Sequence, residues 1–218
     1  MKDAIVYVDG FNLYYYYGLF RNRNRIHPLS AYKWLDLGKL CSRLLPKDRV
    51  HRIRYFTADV SATPKDPDQP IRQQAYLRAL QTIPHLQMHK GRFLQTTKRG
   101  LPVDAVKHGA DLIEVRLFEE KGSDVNIATY LLWDALSHSC EKSVVISNDS
   151  DLAEPIRVVR DELGVEIAVI SPYPWVTNDL KMVASSSGPL HPRLVRQCQF
   201  PSVLVDASGS PILKPRSW

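Results

Sequence analysis

Cysteine is scarce. Cys41, Cys140 and Cys198 are the only three in 218 residues, far apart, with no CxxC pair and no histidine at ligand spacing. Neither a zinc site nor a disulfide framework is expected, and a reducing cytoplasm is the natural setting. Long apolar runs are missing as well. Nothing approaches the ~20 residues a membrane helix needs, and Asp3 and Asp9 interrupt the apolar run near the N-terminus, so no signal peptide is expected. There is no GxxxxGK[ST] loop, no GxGxxG and no GxSxG elbow, which removes P-loop, dinucleotide-binding and α/β-hydrolase chemistries. Internal repeats and low-complexity tracts are absent.

What is present is an ordinary globular composition, 44% hydrophobic and 24% charged, with a net charge of +6. The charge is uneven. Arg21 to Arg54 holds ten Lys/Arg against Asp36 and Asp48, and Lys90 to Lys107 holds five against Asp104. Basic surfaces attract phosphate backbones by releasing counterions; a solvated face chosen for solubility is the plainer alternative.

Two stretches share one form. Ala4–Val8 (AIVYV) and Ser143–Ile146 (SVVI) are short β-branched runs typical of strands buried on both faces of a parallel sheet. The first delivers Asp9, Gly10 and Asn12 at its carboxyl end. The second delivers Asp149 and Asp151, followed by an amphipathic helix through Leu152, Ile156, Val159 and Leu163. In an open α/β sheet, ligands bind outside the carboxyl ends of the strands.

Helices are expected over Lys33–Leu45 (ended by Pro46), Ile71–Thr82 and Asn178–Ala184, and strands over Val50–Val60, Leu86–Leu94 and Val165–Ile170. A helix opening at Ser123 or Asp124, one of them its cap, carries the stripe Ala128, Leu131, Leu132, Ala135 and Leu136. Thr96–Lys107 has no clear period and reads as an exposed basic excursion. Tyr14 to Tyr17 read mainly as packing residues, with one or two able to stack on bases. This alternation means a mostly parallel sheet with helices on both faces. One domain is expected over residues 1–184. Residues 185–218 form an extension ending in a hairpin around Asp206–Ser210, which completes the site, mediates a homodimer or covers an apolar edge.

The candidate constellation is Asp9, Asp124, Asp149 and Asp151, with Asn12 and Lys121 beside it. Converging carboxylates without matching arginines repel one another unless a cation intervenes. Hard divalent ions such as Mg²⁺ prefer oxygen ligands and can activate water against a phosphodiester. Each acid has a structural alternative: Asp9 shapes a turn, Asp151 with Glu154 forms a capping box, and Asp124 caps a helix. Asp134, Glu141, Asp161 and Glu162 read as exposed helix residues. A HAD-type phosphatase is the rival among acid-based sites, but Asp9-Gly10-Phe11 lacks its second acid.

Three blocks, Val6–Leu13 (VYVDGFNL), Glu120–Val125 (EKGSDV) and Ile146–Leu152 (ISNDSDL), resemble the signature blocks of bacterial NYN domains in the PIN-like nuclease superfamily, in the same order. The similarity spans most of residues 3–184. It implies a three-layer α/β/α sandwich and a Mg²⁺- or Mn²⁺-dependent ribonuclease, endonucleolytic on single-stranded or structured RNA, and leaves open whether DNA is also accepted. It implies that Asp9, Asp124, Asp149 and Asp151 hold the metal, with Asn12 supporting them. The backbone-tracking surface would then include Arg21, Arg23, Arg25, Lys98, Arg99 and Lys121. An RNA-binding or regulatory module with a structural ion is the competing expectation. Asn148 stands where many relatives have Gly, and is expected to adopt the same unusual backbone angles.

Overall fold

The computed structural model describes residues 1–19, 32–64, 66–101 and 112–218. Arg21, Arg23 and Arg25 lie outside them, as do the side chains of Tyr15, Tyr16 and Tyr17. Strand β1 (Asp3–Asp9) runs into helix α1 (Gly10–Leu19), followed by α2 (Leu37–Leu44), β2 (Arg49–Thr57), α3 (Gln69–Gln81) and β3 (Leu86–Lys90). After an excursion the chain returns as α4 (Ser123–Leu136), β6 (Lys142–Ile146), α5 (Ala153–Asp161), β7 (Glu166–Ser171), α6 (Asn178–Val183) and β8 (Ser186–Pro189). These six strands form one sheet in the order β3-β2-β1-β6-β7-β8, parallel throughout.

Side chains alternate along a strand, so β1 feeds both layers. Ala4, Val6 and Val8 face a core with Leu37 and Leu40 of α2 and Leu77 and Leu80 of α3. Ile5 and Tyr7 face a second core with Ile127 and Leu131 of α4, Ile156 and Val159 of α5, and Leu180 of α6. Both faces are covered, which is why β1 and β6 read as unbroken apolar runs. The result is the three-layer PIN-like sandwich.

The strand order reverses between β1 and β6: the chain winds outward through β2 and β3 on one side, and through β7 and β8 on the other. In open α/β sheets such a reversal is where ligands bind, outside the carboxyl ends of the strands. Beyond residue 184, β8 becomes the sheet's sixth strand, and α7 (Pro192–Gln197) seals the first core with Val195. The expected terminal hairpin is present as β9 (Val203–Val205) against β10 (Pro211–Leu213), with Ile212 in the same core.

The described part of the basic excursion, Thr96 to Gly100, is strand, and residues 102–107 lie outside the described residues. The single strand expected over Leu86–Leu94 stops at Lys90; from Arg92 the chain enters an antiparallel hairpin, β4 (Arg92–Gly100) against β5 (Ile113–Lys121), separate from the main sheet. Phe93 packs edge-on against Phe11 of α1, with ring centres 5.2 Å apart. Because no side chain of the hairpin among the described residues is buried, with Leu94, Ile113 and Val115 exposed, it carries little of the period that identifies a strand.

Asp134 corrects the surface assignment. Its side chain is 1% exposed and accepts from the Tyr7 hydroxyl (2.8 Å) and twice from the Arg54 guanidinium (2.7 Å each). A buried arginine on β2 demands a carboxylate, so α4 turns Asp134 inward with Ile127, Leu131 and Ala135 while Leu136 is exposed. Arg54 also lies over the Tyr130 ring, and with burial it holds His89 neutral, its pKa pushed down to about 4.

Candidate active site

Asp9 ends β1 and starts α1. Its Oδ1 accepts from the Asn12 N–H (2.9 Å), which makes it the helix cap, and its Oδ2 accepts from the Ser147 hydroxyl (2.8 Å). An ionised carboxylate has about four lone-pair positions, so each oxygen keeps capacity for a further ligand. Gly10 is needed for close approach: a Cβ there would lie 2.5 Å from the Phe56 carbonyl and 2.8 Å from the Tyr55 ring. Gly10→Ala is expected to cost roughly 1–3 kcal/mol by overpacking and to displace Asp9 and Asn12 together. Urea unfolding checks this, and wild-type stability would show that α1 has room to move.

At the end of β6, Ser147 joins the two loops. Its Oγ also accepts from the Asp149 N–H (3.1 Å), while the Asn12 side chain accepts from the Asn148 N–H (3.0 Å). Asn148 is not left-handed; among the described non-glycine residues only His138 has a positive φ. Its side chain instead accepts from the Thr177 N–H (2.9 Å), tying in the loop after β7. The capping expected of Asp151 falls to Asp149, whose Oδ1 accepts from the Asp151 N–H (3.1 Å) at a single 3₁₀ turn, Ser150–Leu152. Asp151 itself is exposed.

Asp124 arrives from α4, whose first turn lies at the same end of the sheet. Gly122, at φ 104°, turns the hairpin into this helix, a conformation glycine adopts at low cost. Neither Ser123 nor Asp124 caps the helix, because Glu120 takes that place, accepting from both the N–H (3.2 Å) and the hydroxyl (2.9 Å) of Ser123. The Asp124 carboxylate is left half-buried, with no hydrogen-bond partner among the described residues.

The electrostatics follow. Burial pushes the Asp9 carboxyl up to about 7, against the pull of Asn12 and Ser147, and Asp124 and Asp149 raise it further. Burial and then the charges of Asp149, Glu120 and Asp151 push Asp124 up to about 6. Every group that raises these values through charge is another acid. Among the described residues no three Asp, Glu, His or Cys side chains form a ready metal cage. The donors are nonetheless all oxygen and share a repulsion that a cation would relieve, and Mg²⁺ commonly takes one or two carboxylates and fills the rest with water.

The pH dependence has a definite sign. In the unfolded chain Asp9 ionises near 3.8, in the folded chain near 7. Between those values the unfolded state releases a proton the folded state keeps, so stability of metal-free protein falls as pH rises through that window and levels off above it. Asp9→Asn should flatten most of this fall, read as the urea midpoint at pH 5 and pH 8. An unchanged slope would mean that Asp9 is not the titrating group.

The basic residues stand apart from the acids. Lys98 and Lys121 both pair with Glu119 (3.1 and 3.0 Å), and Arg99 pairs with Glu114 (3.2 Å), all on the hairpin. Such exposed pairs are weak, so phosphate can compete for them. Sequence reasoning missed Ser147, although it lies inside the block that carries the acids. It also missed an aromatic-lined pocket that begins at Gly10, walled by Phe11, Tyr14, Tyr55, Tyr76 and Trp218.

The family model described as the NYN domain matches residues 3–187. Among curated proteins, the chain is 26% identical over 247 aligned positions to 6-hydroxy-3-succinoylpyridine 3-monooxygenase HspA of Pseudomonas putida, covering 98% of this chain and 74% of that protein. Among solved structures, a Vibrio parahaemolyticus protein described as of unknown function superposes with a TM-score of 0.56 at 15% identity, covering 87% of this chain and 93% of the other. That likeness concerns the fold alone.

Proposed function

Because the chain belongs to the NYN domain family, we propose that it is a divalent-metal-dependent nuclease hydrolysing RNA phosphodiester bonds, acting endonucleolytically in the cytoplasm. The reading is supported by acids that three separate elements carry to the reversal of the strand order: burial and then the charges of Asp124 and Asp149 raise Asp9, and burial and then the charges of Asp149, Glu120 and Asp151 raise Asp124.

These four acids would hold Mg²⁺ or Mn²⁺. A bound divalent ion supplies charge neutralisation at the phosphate and lowers the pKa of water. The protein's own part is orientation. Ser147 fixes one oxygen of Asp9, Asn12 fixes the backbone before Asp149, and Asn148 ties that backbone to Thr177. Lys98, Arg99 and Lys121 would exchange their hairpin partners for phosphate, and Arg21, Arg23 and Arg25 would extend the basic track.

The test is cleavage of labelled single-stranded RNA and DNA in Mg²⁺, in Mn²⁺ and in EDTA. Cutting with metal and none in EDTA is the expected result. RNA binding without cutting in either metal would make the protein a binding module.

A second reading is favoured by the aromatic pocket together with the curated relative, whose name describes oxygenation of a substituted pyridine. Loss of 6-hydroxy-3-succinoylpyridine in the presence of oxygen and a two-electron reductant would support it over hydrolysis.

A further inference from the structure

We propose that the pocket beside Asp9 seats one base of the nucleic acid, the base next to the phosphate held at the acids, with Lys33 meeting a neighbouring phosphate. This rests on the nuclease reading.

Three observations converge. The first is the wall. Tyr76 is anchored by its hydroxyl on the Leu35 carbonyl (2.9 Å) and meets Tyr55 at 87°. Trp218 meets Tyr76 at 68° and Tyr14 at 52°. None of these three pairs is stacked face to face, and rings set at such angles form the kind of aromatic wall on which bases stack.

The second is the polar lining. The Gln73 amide is committed, donating to the Ala58 carbonyl and accepting from the Val60 N–H (2.8 Å each). Thr57 and Gln69 remain on the wall. Few free polar groups against many ring faces suit stacking with little selectivity among bases.

The third is Lys33. It lines a second pocket that shares Gly10, Tyr14, Tyr55 and Tyr76 with the first, and its Nζ lies 4.9 Å over the Tyr14 ring. No described carboxylate pairs with it, and Asp66, whose charge it feels, pairs with Arg72. A half-buried ammonium without a carboxylate partner among the described residues, lining a pocket together with Gly10, is placed for the phosphate that follows a stacked base. Since Gly10 adjoins Asp9, that base would flank the scissile bond.

The test is binding of a labelled single-stranded RNA in EDTA by fluorescence anisotropy, comparing the intact oligonucleotide with one carrying abasic residues. Base stacking of this kind is worth about tenfold in affinity, so the wild type should prefer intact RNA by roughly that factor. Tyr14→Ala should bind both at the abasic level, while Tyr14→Phe, which keeps the ring, should retain the preference. Lys33→Ala should weaken both oligonucleotides and lower the salt slope by about one. Equal binding of intact and abasic RNA by wild type, or a preference that survives Tyr14→Ala in folded protein, overturns the proposal. So does a free nucleoside or hydroxypyridine that binds through Tyr14 as tightly as the strand. Cleavage that ignores abasic positions would overturn this pocket and leave the nuclease standing, whereas base-dependent binding without cleavage would do the reverse.

Discussion

Asp149→Asn is expected to abolish cleavage while leaving the fold intact. The separation is possible because the Asp149 carboxylate has two tasks on two oxygens. Oδ1 accepts from the Asp151 N–H, and an asparagine carbonyl can do the same. What is lost is the negative charge that would help hold the divalent ion. Removing one ligand from an ion worth several kcal/mol of transition-state stabilisation should cost roughly a thousandfold in kcat. The neighbours should report the change independently of turnover. Asp149 raises both Asp9 and Asp124, so both carboxyls should titrate lower in the variant, visible by NMR on metal-free protein. Metal-free Asp149→Asn should be no less stable than wild type near neutral pH, since it removes repulsion and keeps the cap. Wild-type cleavage by the variant would take Asp149 out of the site. A large fall in the urea midpoint would mean that the cap, rather than the charge, is the residue's purpose.

The largest expected effect on stability lies away from the acids. Asp134→Ala should destabilise the protein by roughly 3–5 kcal/mol, because it strands the buried Arg54 without its partner. The figure reflects an uncompensated buried charge more than the worth of the pair. Three controls follow. Tyr7→Phe removes only one of the hydrogen bonds to Asp134 and should cost about 1 kcal/mol. Arg52, which reaches Asp134 at 3.3 Å and is 30% exposed, should matter less still when truncated. Replacing Asp134 and Arg54 together by apolar residues of similar volume should restore much of the loss. Urea unfolding of the four variants would decide. Equal losses for Asp134→Ala and the double replacement would show that packing at α4, rather than charge pairing, dominates there.

The parts of the molecule legible without coordinates are those whose signal is local. A β-branched run ending in Asp9, and another ending in Asp149 and Asp151, are visible because a strand buried on both faces leaves no room for polar residues until it ends. The helices beginning near Gln69 and Ser123 show their period in the same way. Where one residue competes with its neighbour for a local task, the outcome was decided elsewhere. Asp151 and Ser123 are as plausible as caps as the residues that hold those places. Asp149 and Glu120 take them because the approach of each loop brings their oxygens onto the free N–H groups.

By itself, then, the sequence determined the layers, the two acid-ended strands and the family, all properties of side-chain periodicity and short motifs. Tertiary structure decided the rest. Strand order, set by which edges pair, placed Asp9 beside Ser147 at the reversal between β1 and β6. Burial raised the carboxyls of Asp9 and Asp124. The arginine on β2 paired with Asp134 on the buried face that Asp134 shares with Ile127 and Leu131. Trp218, 163 positions from Tyr55, closed the aromatic pocket. Each of these depends on contacts between residues far apart in the chain, whose free energy no local window contains.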